Sequence, residues 1–130
     1  MPLKPDEMIL FRNTMRIAEG HLDGFRQAIR EAVDFVERNG PQLMVQTFID
    51  EERMLAFSYQ LYRDSESILR HWQLADPYIN KVMEHCTVEE FQVHGEPNDA
   101  VLKGLQGMID EGRATVTPRL AGFVRPVANG

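Results

Sequence analysis

His71 is the residue of this chain best suited to acid–base chemistry. It lies beside Trp72 in a predicted helix that begins near Asp64 and Ser65. An imidazole titrates near neutral pH, so His71 could shuttle a proton or hydrogen-bond a phenolic oxygen. The alternative is a half-exposed histidine bonded to a neighbouring carboxylate or carbonyl group. Trp72 suits packing or an interface contact, with the wall of a ligand site as a second interpretation.

Asn13 interrupts the apolar face of the first predicted strand, which Ile9, Phe11, Met15 and Ile17 otherwise form. A carboxamide at this position could polarise a substrate carbonyl or position dioxygen. A buried asparagine satisfied by the backbone is the alternative. Asn13 is therefore the second candidate catalytic residue, after the histidine.

Polar and aromatic residues of the third predicted strand are candidates for binding a substrate. Ser58, Gln60 and Tyr62 lie two residues apart, so strand alternation places them on one face. Tyr59 points to the opposite face, so we expect at most one tyrosine to reach a given site. Polar groups of this kind also often bond each other across strands. The predicted substrate-binding residues are Phe11, Trp72, Tyr62, Gln60 and Ser58.

The residues around the fourth predicted strand lack the spacing of a metal site. His85 and Cys86 are adjacent, so their side chains diverge, and strand alternation separates Glu89 from Glu90. Spacing fixes no base beside Cys86, so we do not expect it to be a nucleophile. We expect no metal ligands. Because a glycine-rich strand–helix turn is missing, we also expect no flavin or nucleotide cofactor.

Apolar periodicity predicts that these residues are positioned by a β-α-β-β-α-β order of elements. The predicted strands cover residues 8–18, 42–49, 53–62 and 87–94. The first helix has 16–18 residues and ends at Asn39-Gly40-Pro41. We expect Pro77 to interrupt the second helix, with a shorter helical piece from Tyr78 to about His85.

Residues 97–130 are predicted to form a helical extension and tail outside the main domain, residues 1–96. Asn98-Asp99 can cap a further helix that Gly112 ends, and residues 120–124 are a candidate short strand. The fold class is α+β, a ferredoxin-like unit with an extra C-terminal helix.

Both faces of the predicted sheet are apolar enough to need a cover. A ferredoxin-like unit places its two helices on one face, so something else must cover the other. A second copy of the chain, packed sheet to sheet across a two-fold axis, would do so. The alternative is the C-terminal segment folded back within a monomer. We expect the homodimer.

Composition restricts the classes of partner. A net charge of −6 over 130 residues argues against nucleic acid, whose phosphates select basic faces. The apolar share of 43% suits one packed domain, and a single cysteine fits a reducing compartment. No apolar run approaches the length of a membrane span. We expect a cytoplasmic protein with neither nucleic-acid nor membrane partners.

The stretch Tyr59–His71 resembles the aromatic-Glu-x-aromatic-x-Asp-x-x-Ala-x-x-x-His pattern of antibiotic biosynthesis monooxygenase-like domains. The similarity covers about residues 8–94 and includes the helix entry Gly20–Phe25. The resemblance implies a dimeric α/β barrel with a small apolar or aromatic ligand between sheet and helices. Gln60 stands where the family usually has glutamate, which removes a charge that could orient a partner or a base.

Three functions remain open. The first is that of the relatives that are cofactor-independent monooxygenases. Those relatives act on small phenols or quinols. The resemblance implies that Asn13 and His71 line the corresponding cleft in this chain. The second is a non-catalytic small-molecule-binding or structural dimer, which Gln60 and the lack of a second positioned acid or base favour. A third possibility is an interaction module whose partner contacts residues 97–130.

Overall fold

The computed structural model describes residues 4–125, which form five strands and three α-helices in the order β-α-β-β-α-β-α-β. A short 3-10 turn, Pro5–Glu7, precedes them. The elements are β1 Ile9–Ile17, α1 Leu22–Asn39, β2 Met44–Asp50, β3 Leu55–Tyr62, α2 Ser65–Met83, β4 Cys86–His94, α3 Asp99–Asp110 and β5 Ala114–Thr117. The predicted α+β class and order of elements are confirmed.

The strands form one mixed sheet in the order β2-β3-β1-β4-β5. The first four pair antiparallel, in the arrangement of a ferredoxin-like unit, and β5 joins β4 in parallel. β1 is central and pairs with β3 and β4 along almost its whole length. Side chains near its middle are therefore held by neighbours on both sides.

The helix α2 is continuous from Ser65 to Met83, so the prediction that Pro77 interrupts it is wrong. An interior proline removes one backbone hydrogen bond and costs about 3 kcal/mol. The helix buries residues on both sides of Pro77, among them Ala75 and Val82. Burial of this shared face outweighs the local cost, because most helical stability in proteins comes from packing of an apolar face.

Asp64, one of the two residues near which the sequence predicts this helix to begin, caps the start of α2. Its carboxylate accepts hydrogen bonds from the backbone nitrogen and the hydroxyl of Ser67, each at 2.9 Å. This cap fixes where the helix leaves β3, and hence the position of the side chains one and two turns later.

The C-terminal elements extend the same sheet. Asn98 caps α3 by accepting from the Val101 nitrogen at 3.0 Å, and α3 buries Val101 and Leu105 in the core. The strand predicted at residues 120–124 is wrong: the strand is Ala114–Thr117, and Leu120 is 97% exposed. The β-branched run 115–117 suits pairing with β4, whereas Gly122 weakens the later segment. The domain boundary after residue 96 stays a prediction.

The sheet face turned away from α1 and α2 is open over β2, β3 and the middle of β1, whereas residues 119–124 lie beside one end of it, near Leu10 and Leu61. Phe48, Phe57 and Tyr59 lie on this open face, and Phe48 is 55% exposed. The Arg12 guanidinium lies 5.6 Å from the Phe57 ring centroid and 5.9 Å from that of Tyr59. The second apolar face predicted from the sequence is present.

Among the helices that the structure describes, none combines the length and the apolar character that a membrane crossing requires.

Candidate functional site

A row of polar side chains crosses the helix-facing side of the sheet at its centre. Ser58 on β3 pairs with Asn13 on one side and with Thr47 on the other. Directly paired residues project to the same face, so these three side chains lie in one line across three strands. On β1 the row falls between Phe11 and Met15, which belong to two separate apolar clusters. The row therefore interrupts the core.

Apolar residues of both long helices cover this row and border a partly open cavity of about 110 Å³ between the helices and the sheet. We call this space the cavity. From the sheet and the loop after α1, it is lined by Asn13, Met15, Gln42, Val45, Thr47, Ser58 and Gln60. From the helices, it is lined by Ile29, Ala32, Val33, Val36, His71, Ala75, Tyr78, Ile79, Val82 and Met83. The arrangement is a polar floor beneath an apolar roof.

His71 is the imidazole of the cavity and is only 8% exposed. Burial lowers its pKa to about 4, against a smaller opposing effect of the Asp76 carboxylate. The side chain is therefore neutral at pH 7. Its Nδ1 lies 2.9 Å from Nε2 of Gln42.

Tyr62 joins the floor of the cavity to His71. Its ring is fully buried, with its centroid 5.9 Å from that of His71. The Tyr62 hydroxyl donates to Oε1 of Gln60, whose Nε2 donates to the Ser58 hydroxyl at 3.5 Å. Burial raises the pKa of Tyr62, although a hydrogen bond from Gln42 acts to lower it. The phenol therefore stays protonated at physiological pH.

Four of the predicted site residues line the cavity together: Asn13, Ser58, Gln60 and His71. Tyr62 contacts two of them without lining the space. The other two predicted residues lie elsewhere. Phe11 packs between Tyr62 and Phe91, with ring centroids 5.0 and 4.9 Å away. Trp72 packs against α3 at Gly104, in the packing role considered for it above.

Gln42 and Thr47 belong to the polar part of the site but were not predicted. Gln42 lies in the four-residue loop after α1, where no periodicity indicates direction. Thr47 could have been found, because it alternates with Val45 and Ile49 on the apolar face of its strand.

Two buried oxygens in the cavity wall lack a hydrogen-bond donor. These are Oδ1 of Asn13 and Oε1 of Gln42. The backbone-satisfied asparagine considered above is therefore not what the structure shows. An unpaired buried acceptor costs stability, so each of these oxygens calls for an explanation, of which a donor supplied by a bound molecule is one.

Within residues 4–125, no three His, Cys, Asp or Glu side chains come together as a metal ion would require. Of the group considered from the sequence, His85 instead contacts His21, with 3.0 Å between their Nδ1 atoms. Cys86 is buried, and burial raises the pKa of its thiol to about 11. The thiol is therefore protonated at neutral pH, a poor state for a nucleophile.

Several solved structures share this fold at low sequence identity. MupZ from Pseudomonas fluorescens has a TM-score of 0.73 at 15% identity, covering 95% of this chain and 99% of that one. The cofactor-independent oxygenase SnoaB from Streptomyces nogalater has a TM-score of 0.60 at 12% identity, covering 71% and 95%. A candidate antibiotic biosynthesis monooxygenase from Chloroflexus aurantiacus has a TM-score of 0.58 at 14% identity, covering 70% and 94%.

No protein-family model matches the sequence, and no curated protein is significantly similar to it. The structural likeness nevertheless confirms the predicted fold: the chain has the antibiotic biosynthesis monooxygenase-like fold with additional C-terminal elements. The wider coverage with MupZ means that this likeness extends beyond the ferredoxin-like unit.

Proposed function

We propose that the protein is a cofactor-independent monooxygenase that oxidises a small phenol or quinol in the cavity. The observation on which this rests is the placement of Asn13 and His71 in one largely apolar space. The fold adds support, since one protein that shares it is a cofactor-independent oxygenase. We infer the class of substrate from the chemistry that an apolar cavity with one carboxamide and one imidazole permits.

Oxidation of a phenol by dioxygen needs no bound cofactor once the phenol is ionised. The phenolate gives an electron to dioxygen, and the resulting radical pair combines into a peroxide at a ring carbon. Loss of water then leaves a quinone. One oxygen atom becomes the new carbonyl, and the other leaves as water with the ring hydrogen and the phenolic proton. The substrate thus supplies all four electrons that dioxygen accepts.

The residues of the cavity supply what this sequence requires. His71 hydrogen-bonds the phenolic oxygen, and the Asn13 carboxamide orients the oxygen species at the ring carbon. The apolar side chains of α1 and α2 exclude water, which strengthens both interactions. Gln60 takes part indirectly, because its amide is already engaged by Tyr62 and Ser58.

The volume of the cavity favours a substrate with one ring. An engineered protein cavity of about 150 Å³ accepts benzene, and this cavity has about 110 Å³. A monocyclic phenol or catechol fits after small side-chain movements. A polycyclic substrate would require α1 and α2 to move away from the sheet.

A non-catalytic binding dimer is the second candidate. It is favoured by Gln60, whose neutral amide bonds other protein groups instead of orienting a base. In this alternative the same cavity binds a small phenol without turnover.

The homodimer is part of the proposal. The open face holds a shallow depression of about 570 Å³ over Arg12, Gln46, Phe57 and Tyr59, which is broad enough to receive a protein surface. Packing of two such faces across a two-fold axis would bury the apolar side chains of both copies. A partner for residues 97–130 remains a separate prediction.

Oxygen uptake with monocyclic phenols and catechols tests the proposal. We expect substrate-dependent consumption of dioxygen, and a rate about 100-fold lower in His71→Ala. His21→Ala is the matched control, because His21 lies outside the cavity. Thermal stabilisation by the phenols without oxygen uptake would instead support the binding dimer. Equal uptake in His71→Ala and the unaltered protein would contradict the assignment of His71.

A further inference from the structure

The contact between Gln42 and His71 determines more than the position of the imidazole. Gln42 lies in the loop between α1 and β2, and its Nε2 is 2.9 Å from Nδ1 of His71. An amide nitrogen donates hydrogen bonds and accepts none. The Nδ1 atom must therefore offer a lone pair to Gln42 and carry no proton.

The single proton of a neutral imidazole must then lie on Nε2. Burial keeps His71 neutral, since it disfavours the charged form and lowers the pKa to about 4. The nitrogen left for a ligand is Nε2, on the side of the ring away from Gln42.

The neighbouring hydrogen bonds favour this orientation of the Gln42 amide. The Tyr62 hydroxyl donates its proton to Gln60, so toward the Gln42 amide its oxygen can only act as an acceptor. An amide turned the other way would offer a carbonyl oxygen to a group with no proton to give. It would also place two N–H groups where a buried oxygen without a donor now lies.

We propose that Gln42 is a positioning residue that fixes His71 as the neutral Nε2–H tautomer, so that His71 acts on a bound phenol as a hydrogen-bond donor and not as a base. The tautomer follows from the Gln42–His71 contact together with the burial that keeps the ring neutral. Its catalytic meaning rests on the proposed function.

This assignment changes where the substrate proton goes. An Nε2 that already carries a proton cannot accept the proton of the phenol, which therefore leaves to water. The imidazole instead donates to the phenolate oxygen and stabilises the anion that reacts with dioxygen. A neutral donor of this kind stabilises the anion without placing a second full charge in an apolar site.

Long-range 1H–15N NMR of the full ¹⁵N-labelled chain at pH 7 tests the tautomer. We expect a pyridine-like shift for Nδ1 of His71 and a pyrrole-like shift for Nε2, assigned by their loss in His71→Gln. In Gln42→Glu the carboxylate accepts from Nδ1–H, so we expect the two shifts to exchange. A proton on Nδ1 of His71 in the unaltered protein, or on both nitrogens, would overturn the proposal.

The donor role is tested with 4-nitrophenol, whose ionisation is followed by absorbance. Saturating protein should make the phenol ionise about tenfold more readily, since a hydrogen bond to a charged group is worth about one pKa unit or more. His71→Gln keeps an N–H donor and should keep part of the effect, whereas His71→Leu should lose it. An ionisation constant unchanged by the protein would overturn the donor role.

The two proposals fail separately. The expected tautomer and ionisation shift without oxygen uptake would remove the oxygenase and leave this inference standing. Oxygen uptake together with a proton on Nδ1 of His71 would support the oxygenase and overturn this inference.

Discussion

The carbonyl oxygen of Asn13 lacks the protein hydrogen bond that a purely structural asparagine would have. A structural asparagine at the centre of a sheet is expected to have its carbonyl group satisfied, and this oxygen is buried without a donor. Replacement by an apolar side chain of similar size removes that cost along with any function of the amide.

Asn13→Leu should therefore raise the free energy of unfolding by about 1 kcal/mol while abolishing oxygen uptake. Urea unfolding measures the first effect and an oxygen electrode the second. Asn39→Leu, at the exposed end of α1, is the control and should leave oxygen uptake unchanged. A destabilised but fully active Asn13→Leu would show that the asparagine serves packing alone.

The low pKa of His71 links stability to pH in one direction. The folded-state pKa of about 4 lies below the ordinary value of 6.5, so between these values the unfolded chain binds a proton that the folded chain does not. The contribution of His71 to the free energy of unfolding does not change with pH above 6.5. It becomes increasingly unfavourable to the folded state as the pH falls from 6.5 to 4.

We therefore expect the free energy of unfolding of the unaltered protein to fall by about 3 kcal/mol relative to that of His71→Gln between pH 7 and pH 4. Urea unfolding of both proteins across this range measures the difference, in which the contributions of shared carboxylates cancel. A difference that stays constant with pH would mean that His71 titrates normally in the folded protein.

The residues of the candidate site can be predicted from the sequence to different degrees. Asn13 was predicted because it breaks an apolar alternation, and His71 because of its helix and the family pattern. Gln42 was not, since a loop side chain reaches the cavity only through the three-dimensional path of the chain. The lack of a donor at two oxygens is a property of packing that no sequence pattern expresses.

At the scale of elements, the contact between α2 and α3 depends on a missing side chain. A Cβ atom added at Gly104 would overlap the Trp72 ring, whereas one added at Gly107 would meet no atom within 4 Å. Both glycines lie in α3, so each lowers the stability of the same helix by the same intrinsic propensity.

Gly104→Ala should lower the free energy of unfolding by about 1–3 kcal/mol through overpacking. Gly107→Ala is the matched control and should raise it by up to about 1 kcal/mol, the difference in helix propensity between the two residues. Thermal unfolding of both variants gives the comparison. Equal effects of the two substitutions on stability would mean that the Trp72 ring moves aside without a loss of stability.

Element order and type were predictable because apolar periodicity is a strong local signal, as α1 illustrates. The errors have physical causes. The intrinsic effect of Pro77 predicts a break in α2, but burial on both sides of the proline outweighs it. The sequence predicts a strand at residues 120–124, later than β5, because the pairing of β5 with β4 depends on where α3 returns the chain to the sheet.

For the whole molecule, the open face predicts association. The apolar side chains on it have no cover from α1 or α2, which lie on the other side of the sheet. Phe48, at 55% exposure, is the most accessible large hydrophobic side chain of the strands that form this face.

Light scattering after size exclusion should give the mass of two chains at micromolar concentration. Phe48→Glu should reduce it to one, since pairing would bury a charge. Leu74→Glu is the control, because Leu74 is 39% exposed on α2, away from this face, and its change should leave the mass unaltered. A single-chain mass for the unaltered protein would contradict the dimer.

The parallel pairing of β5 with β4 has a consequence for synthesis on the ribosome. β5 follows the other four strands of the described sheet along the chain, so until residues 114–117 leave the exit tunnel the outer backbone groups of β4 have no partner. An unpaired strand edge recruits other chains. Polypeptides that stop before residue 114 should therefore aggregate more than those that include β5, because β5 replaces the nine-residue edge of β4 with a four-residue edge.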